Sequence, residues 1–263
     1  MDLEEKTGRL RAILRSANPL LIAYSGGVDS ACLLAIAHAE LGPGALGIIA
    51  DSPSLPRAAL ADALETAKKI GARVETVHTA EFENPEYLSN PANRCYFCKA
   101  ELFARMEAIA RERGFTRIAY GENADDPADL RPGSRAAAEF RVLAPLKEAG
   151  LAKAEVRELS RRLGLPTHDA PAQPCLSSRI PHGTPVTTEA LALVEKGEAA
   201  LRAIGLRIFR VRYIAGEKPK ARVQISPDEM PSFPDQAPLA EALQAAGFAS
   251  VEFDPQGYRP PTA

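Results

Sequence analysis

The chain of 263 residues has little net charge: 32 Lys and Arg stand against 34 Asp and Glu, giving −2 at pH 7. Such a balance offers no basic field for a phosphate backbone, so no nucleic-acid partner is expected. Long apolar runs are missing as well. None approaches the ~18 residues that span a bilayer, so no membrane association is expected. Residues 1–17 mix both charge signs at helical spacing and lack the basic start and apolar middle of a signal peptide. These absences point to a cytoplasmic protein. Cysteine is scarce, with Cys32, Cys95, Cys98 and Cys175 the only four. In a reducing compartment they are expected as thiols or ligands rather than structural disulfides. The sequence shows no internal repeat. It has no Gly-x-x-x-x-Gly-Lys-Ser/Thr either, which excludes the common loop that transfers a γ-phosphate.

What is present is an alternation of short apolar runs with longer amphipathic stretches. Strands are expected at 20–24, 46–50, 73–78 and 116–120, and helices at 28–41, 56–70, 99–113 and 153–163. Strands alternating with helices predict an α/β fold with a parallel sheet covered on both faces, and ligands beyond the carboxyl ends of its strands. The pattern changes near Ala170. A loop at 169–174 leads to a helix at 188–204, a hairpin at 208–214 and 221–225, a helix at 238–246, a strand at 250–253 and a Pro-rich tail. Two domains are therefore expected: 1–170 as the nucleotide-binding domain, and 171–263 as a smaller α+β domain.

The loop after the first strand, Ser25-Gly-Gly-Val-Asp-Ser30, leads directly into a helix. Gly26 and Gly27 let a ligand approach the backbone, and the helix start directs free N–H groups at it, which suits a phosphate. Ser25 and Ser30 add hydroxyl donors. Asp29 is out of place beside phosphates unless it handles Mg²⁺ or an adjacent amide. The hexapeptide in this setting resembles the PP-loop of the ATP pyrophosphatase superfamily, whose members cut ATP between the α- and β-phosphates and adenylylate an oxygen of the substrate. Asp51 and Ser52, ending the second strand, match the position where that superfamily holds adenosine. Gly121-Glu-Asn-Ala-Asp-Asp126 follows the fourth strand on the same edge, with Asp125 and Asp126 placed for Mg²⁺ or the nucleotide.

Cys95-Tyr-Phe-Cys98-Lys99 opens a helix, and Cys175 lies in Pro174-Cys-Leu-Ser-Ser-Arg-Ile-Pro-His-Gly183. A Cys-x-x-Cys alone is compatible with a redox pair, half of a zinc site or part of an iron–sulfur site. With Cys175 it forms a three-thiolate set. Zinc wants a fourth protein ligand in a closed site, whereas a [4Fe–4S] cluster on three thiolates keeps one iron open. Cys32 sits among Ala31, Leu33 and Leu34 and reads as core. Arg210 and Arg212, two apart on a strand, share one face and make a phosphate clamp.

Taken in order, the PP-loop, Arg94-Cys-Tyr-Phe-Cys-Lys99, the run 121–126, Asp129-Leu-Arg-Pro-Gly133, Pro145-Leu146 and the run 174–183 resemble the LarE family of ATP-dependent sulfur transferases over nearly the whole chain. The resemblance implies synthesis of the nickel-pincer nucleotide: ATP and Mg²⁺ adenylylate the carboxylates of pyridinium-3,5-biscarboxylic acid mononucleotide, which become thiocarboxylates. It implies that Arg210, Arg212 and the nearby Arg179 bind the substrate phosphate, that Glu198 contacts a metal, and that the chain forms a homo-oligomer, a hexamer in many members. The family has two sulfur strategies. Either a single cysteine, here Cys175, gives up its own sulfur, or three cysteines hold a [4Fe–4S] cluster that carries the transferred sulfide. Cys95, Cys98 and Cys175 match the second. Glu122 stands where a Thr is common and His182 where a Tyr is common. The alternatives are another PP-loop enzyme, such as a tRNA thiolase or an ammonia-using synthetase, and a non-catalytic metal-binding module.

Overall fold

Leu20, Leu21 and Ile22 are all buried, and alternation along the strand sends Leu20 and Ile22 into one core and Leu21 into another. A strand apolar on both faces needs a cover on both, and this is what the computed structural model, which describes residues 1–126 and 132–258, shows. The chain runs α1 (Leu3–Ser16), β1 (Leu20–Ala23), α2 (Val28–Leu41), β2 (Ala45–Asp51), α3 (Arg57–Ile70), β3 (Val74–His78), α4 (Pro85–Leu88), α5 (Arg94–Arg113), β4 (Arg117–Tyr120), α6 (Pro132–Glu139), α7 (Pro145–Glu148) and α8 (Lys153–Arg162). There follow α9 (Thr188–Ala203), β5 (Phe209–Ile214), β6 (Lys220–Ile225), α10 (Ala237–Ala246) and β7 (Ser250–Phe253). Residues 129–131 of the 129–133 motif, and the Pro-rich tail from 259, lie outside the described residues.

The chain divides into two compact units. The first takes in Met1–Phe82 and Asn93–Gln173. Its sheet has the order β3-β2-β1-β4 with every neighbouring pair parallel. Leu20, Ile22 and Ile49 pack with Leu10 and Leu14 of α1, Leu33 and Leu34 of α2 and Val156 of α8, while Leu21, Leu46, Ile48 and Ile118 pack with Phe103 and Met106 of α5 and Ala136 of α6. Each fully buried Leu contributes about 1.5–3 kcal/mol. The helix expected from residue 99 begins at Arg94 instead, so Cys95 and Cys98 both stand within it, near its start. Cys32 is fully buried in the first core, and burial pushes its thiol pKa up to about 12.

The second unit takes in Glu83–Ala92 and the chain from Pro174 onward. Its sheet has the order β5-β6-β7, with β5 antiparallel to β6 as a hairpin and β7 parallel to β6. Val211, Ala221, Val223 and Ile225 form the apolar side of this sheet, and Leu191, Val194, Leu239 and Leu243 are among the buried residues of α9 and α10. The other positions of β5 and β6 carry Arg210 opposite Gln224 and Arg212 opposite Arg222. Among the described residues no helix is long and apolar enough to cross a membrane.

Candidate functional site

The turn from β1 to α2 is shaped by what its glycines leave out. Gly26 has φ +76°, and a Cβ there would lie 2.5 Å from the Cβ of Ala63. Gly27 is the residue before α2 and has no side chain to cap the helix, whose first backbone bond runs from Ala31 N–H to Gly27 carbonyl. The N–H groups of the first turn thus have no intrahelical acceptor and keep the positive end of the helix dipole bare. Ser30 Oγ ties the turn together: it accepts from Ser25 N–H at 3.2 Å, lies 3.1 Å from Ser25 Oγ and donates to Gly27 carbonyl at 3.1 Å. Gly121, just beyond β4, packs against this helix start, where a Cβ would stand 2.8 Å from Ser30 N.

Both carboxylates assigned to Mg²⁺ are held by one residue that the sequence reading missed. Lys153 Nζ donates to Asp29 Oδ2 at 2.6 Å, and Lys153 N–H donates to Asp125 Oδ2 at 2.8 Å. Asn123 Nδ2 lies 3.4 Å from the other Asp29 oxygen. Lys153 is the first residue of α8, where a cation opposes the helix dipole. Mg²⁺ keeps most of its oxygen ligands from water and substrate phosphates, so one or two carboxylates of this kind suit it. Asp51 accepts from Arg57 Nη1 at 2.6 Å, and Ser52 carbonyl from Arg57 Nη2 at 2.9 Å. Glu122 is buried and accepts from Tyr120 Oη and from Ser134 Oγ, with Lys147 Nζ at 3.5 Å. Burial alone would raise its pKa, but those three partners more than offset it and hold the carboxyl below the usual range.

Cys95 is exposed and Cys98 half-buried, three positions apart near the start of α5 and so on neighbouring parts of its surface. Next to them, Lys99 Nζ lies 4.7 Å from the Tyr120 ring centre. Cys175, in the second unit, is half-buried and immediately precedes a 3₁₀ turn, Leu176–Arg179. Three thiolates suit an iron–sulfur cluster by donor chemistry. Among the described residues, no three His, Cys, Asp or Glu side chains are gathered as a metal site. Within the second unit, the chain leading toward Cys95 is bound to the chain following Cys175. Asn90 Nδ2 donates to Pro181 and Thr184 carbonyls at 2.8 and 2.9 Å, and Tyr87 Oη lies 2.8 Å from Ser177 Oγ.

The same unit gathers arginines. Arg179, 2% exposed, forks onto Glu198, 1% exposed, through Nε–Oε1 at 2.8 Å and Nη2–Oε2 at 3.0 Å. Its Nη1 donates to the carbonyls of Pro174 and Cys175 and to Ser178 Oγ. Arg202 Nη2 and Val211 N–H also donate to Glu198. Burial would raise the Glu198 pKa, and the two guanidiniums and the Val211 N–H more than reverse that. Glu198 thus accepts from Arg179, Arg202 and Val211, and Arg179 is engaged with protein acceptors.

Arg210 donates to Tyr258 Oη at 2.8 Å, and Arg212 to Gln224 Oε1 at 2.9 Å and Ser178 carbonyl at 2.6 Å. Burial first, and then the like charge of Arg179, draws both guanidiniums below the usual arginine range. Tyr258 and Glu198 act the other way on both, and Asp254 on Arg212.

No protein-family model matches the chain. It is 43% identical over 260 residues to an uncharacterised protein of Synechocystis sp., covering 98% of this chain and 96% of that one. It is 30% identical over 262 residues to the pyridinium-3,5-bisthiocarboxylic acid mononucleotide synthase of Lactiplantibacillus plantarum, covering 98% of this chain and 93% of the synthase. A third relative, an uncharacterised protein of Methanocaldococcus jannaschii, is 27% identical over 240 residues, or 91% of this chain and 90% of that one. At this identity over nearly the full length of the synthase, the chain belongs to its family, the LarE family.

Proposed function

We propose that the chain is an ATP-dependent sulfurtransferase that adenylylates the carboxylates of pyridinium-3,5-biscarboxylic acid mononucleotide and converts each to a thiocarboxylate. The observation that carries this is the bare helix start at Ser25–Ser30, at the carboxyl edge of a parallel sheet, in a relative of a synthase named for the bisthiocarboxylate. A substrate carboxylate oxygen attacks the α-phosphorus of ATP. The bond from that phosphorus to the bridging oxygen breaks, and pyrophosphate leaves with it. The N–H groups at the head of α2, the Ser25 and Ser30 hydroxyls and the Lys153 ammonium stabilise the developing charge, and Asp29 and Asp125 hold Mg²⁺ that arrives with the nucleotide. Asp51 and Ser52 bound the adenosine end. A sulfur nucleophile then adds to the carbonyl carbon of the acyl-adenylate, the bond to AMP breaks, and a thiocarboxylate remains. Arg210 and Arg212 hold the substrate phosphate, while Arg179 holds the loop that carries Cys175.

Cys95, Cys98 and Cys175 would hold a [4Fe–4S] cluster, which supplies a sulfide that can be replaced between turnovers. The donor set favours this reading, because three thiolates suit such a cluster. The second reading, in which Cys175 gives up its own sulfur, draws support from Cys175 being the single cysteine of its unit.

The test is anaerobic incubation with ATP, Mg²⁺ and the biscarboxylate mononucleotide. Pyrophosphate and AMP should appear together, with sulfur replacing one oxygen of each carboxylate by mass. Pyrophosphate release that is independent of this substrate would overturn the proposal.

A further inference from the structure

A buried carboxylate with two arginines and a backbone N–H on it is more than half of an ion pair. Glu198 Oε1 accepts from Arg179 Nε at 2.8 Å and from Val211 N–H at 3.3 Å. Arg179 continues the chain to the carbonyl of Cys175 at 3.0 Å. Val211 is the residue between Arg210 and Arg212 on β5. One oxygen on α9 therefore touches both the support of the sulfur-bearing loop and the strand of the phosphate clamp. Arg212 closes the circuit by donating to Ser178 carbonyl at 2.6 Å.

From this arrangement we infer that Glu198 is a positioning residue: acting through Arg179 and Val211, it fixes the Cys175 loop in register with the Arg210–Arg212 clamp. The inference rests on the function proposed above and adds to it the group that sets the separation between sulfur and substrate phosphate. The geometry suits the task. A forked guanidinium–carboxylate pair fixes direction as well as distance. At 1–2% exposure neither partner is competed for by water. Both Glu198 oxygens are occupied, so the residue acts through its neighbours and has no need to touch substrate.

The consequence is a split between the two half-reactions. Adenylylation takes place on the loop Ser25–Ser30 and does not require the Cys175 loop. Transfer of sulfur to the acyl-adenylate needs the reacting atoms within about 3–3.5 Å, and a misplacement near 1 Å costs on the order of a hundredfold. Arg179→Lys keeps a cation opposite Glu198, and with it the buried charge balance, but loses the fork and its reach to Cys175 carbonyl. Glu198→Gln sets an amide donor against a guanidinium donor.

The experiment measures thiocarboxylate formed per pyrophosphate released in the full chain, for wild type and both variants, with unfolding temperature as the control. The expected result is a ratio near the full value for wild type and about tenfold lower or less in Arg179→Lys and Glu198→Gln. If Glu198→Gln fails to fold, Arg179→Lys decides alone. Its retention of the wild-type ratio would overturn the inference. So would recovery of the Glu198→Gln ratio at raised Mg²⁺ or Mn²⁺, which would mark a metal ligand. A wild-type chain that releases no pyrophosphate with the biscarboxylate would sink the functional reading instead. The positioning role is then read from hydrogen exchange at the Leu176, Ser177 and Ser178 amides, which Arg179→Lys should speed and a passive pair would leave unchanged.

Discussion

Lys153 binds Asp29 through its ammonium at 2.6 Å and Asp125 through its backbone N–H at 2.8 Å, linking the phosphate loop to the turn beyond β4. Stability does not account for it. The ion pair is partly exposed and worth roughly 0–1 kcal/mol, and a cation at a helix start loses about 0.3–1 kcal/mol to the dipole. The ammonium stands where ATP phosphates would neutralise it, and Asp29 would pass to Mg²⁺. Lys153→Met should therefore lower ATP-dependent pyrophosphate release by about tenfold or more, while the unfolding temperature moves by no more than about 4 °C. A matched loss of stability and activity would show that Lys153 is a structural brace.

The two glycines of the loop have different tasks, and alanine separates them. At Gly26 a Cβ meets Ala63 Cβ at 2.5 Å and the backbone is left-handed at φ +76°, so Gly26→Ala should cost about 1–3 kcal/mol of stability. At Gly27 the nearest atom to a Cβ is Ser25 Oγ at 3.6 Å, an ordinary contact. Gly27→Ala should fold as wild type yet weaken ATP binding, because its methyl lies where phosphate approaches the N–H groups. Urea midpoints and nucleotide titration read the two effects. Equal ATP affinity in Gly27→Ala and wild type would move the phosphates off this turn.

The local signals were legible in the sequence. Apolar runs at 20–24 and 46–50, the two glycines and the helix from Val28 give β1, β2, the phosphate turn and the parallel sheet. Arg210 and Arg212 share a face because strand period demands it. Choices made across the chain were not legible. Lys153 meets Asp29 over 124 positions, and no period links them. Nothing local to Arg179 shows that tertiary packing leaves it 2% exposed. Glu198 stands on the same face of α9 as the buried Leu191, Val194 and Leu201, at helical spacings of seven, four and three. That stripe was the available signal.

Glu122 supplies a prediction about acid. Its buried carboxylate is held below the usual glutamate value of 4.5 by Tyr120, Ser134 and Lys147 acting against burial. A depressed folded-state pKa adds stability above the unfolded value, and that stability is lost as pH falls from there through the folded value. The urea-midpoint difference between wild type and Glu122→Gln should be largest above pH 4.5 and should shrink below it. A difference that stays constant from about pH 7 to about pH 3 would mean that packing, and not charge, is what Gln disturbs.

The cysteines allow the sharpest separation. Cys32 is enclosed in the core, with its thiol pushed up to about 12, so it should neither alkylate in the folded protein nor bind metal. Cys95 is exposed, and Cys98 and Cys175 are half-buried. Anaerobically prepared protein should carry about four irons and matching acid-labile sulfide per chain. That content should fall away in Cys95→Ala, Cys98→Ala and Cys175→Ala and persist in Cys32→Ala. Chelation of the iron should stop thiocarboxylate formation while pyrophosphate release continues, because the phosphate loop and its donors lie apart from the thiols in function. If the protein is instead free of iron and Cys175 loses the mass of hydrogen sulfide after one turnover, the sulfur comes from the side chain itself. The chain would then serve once per molecule, and Cys95 and Cys98 would have no part in the transfer.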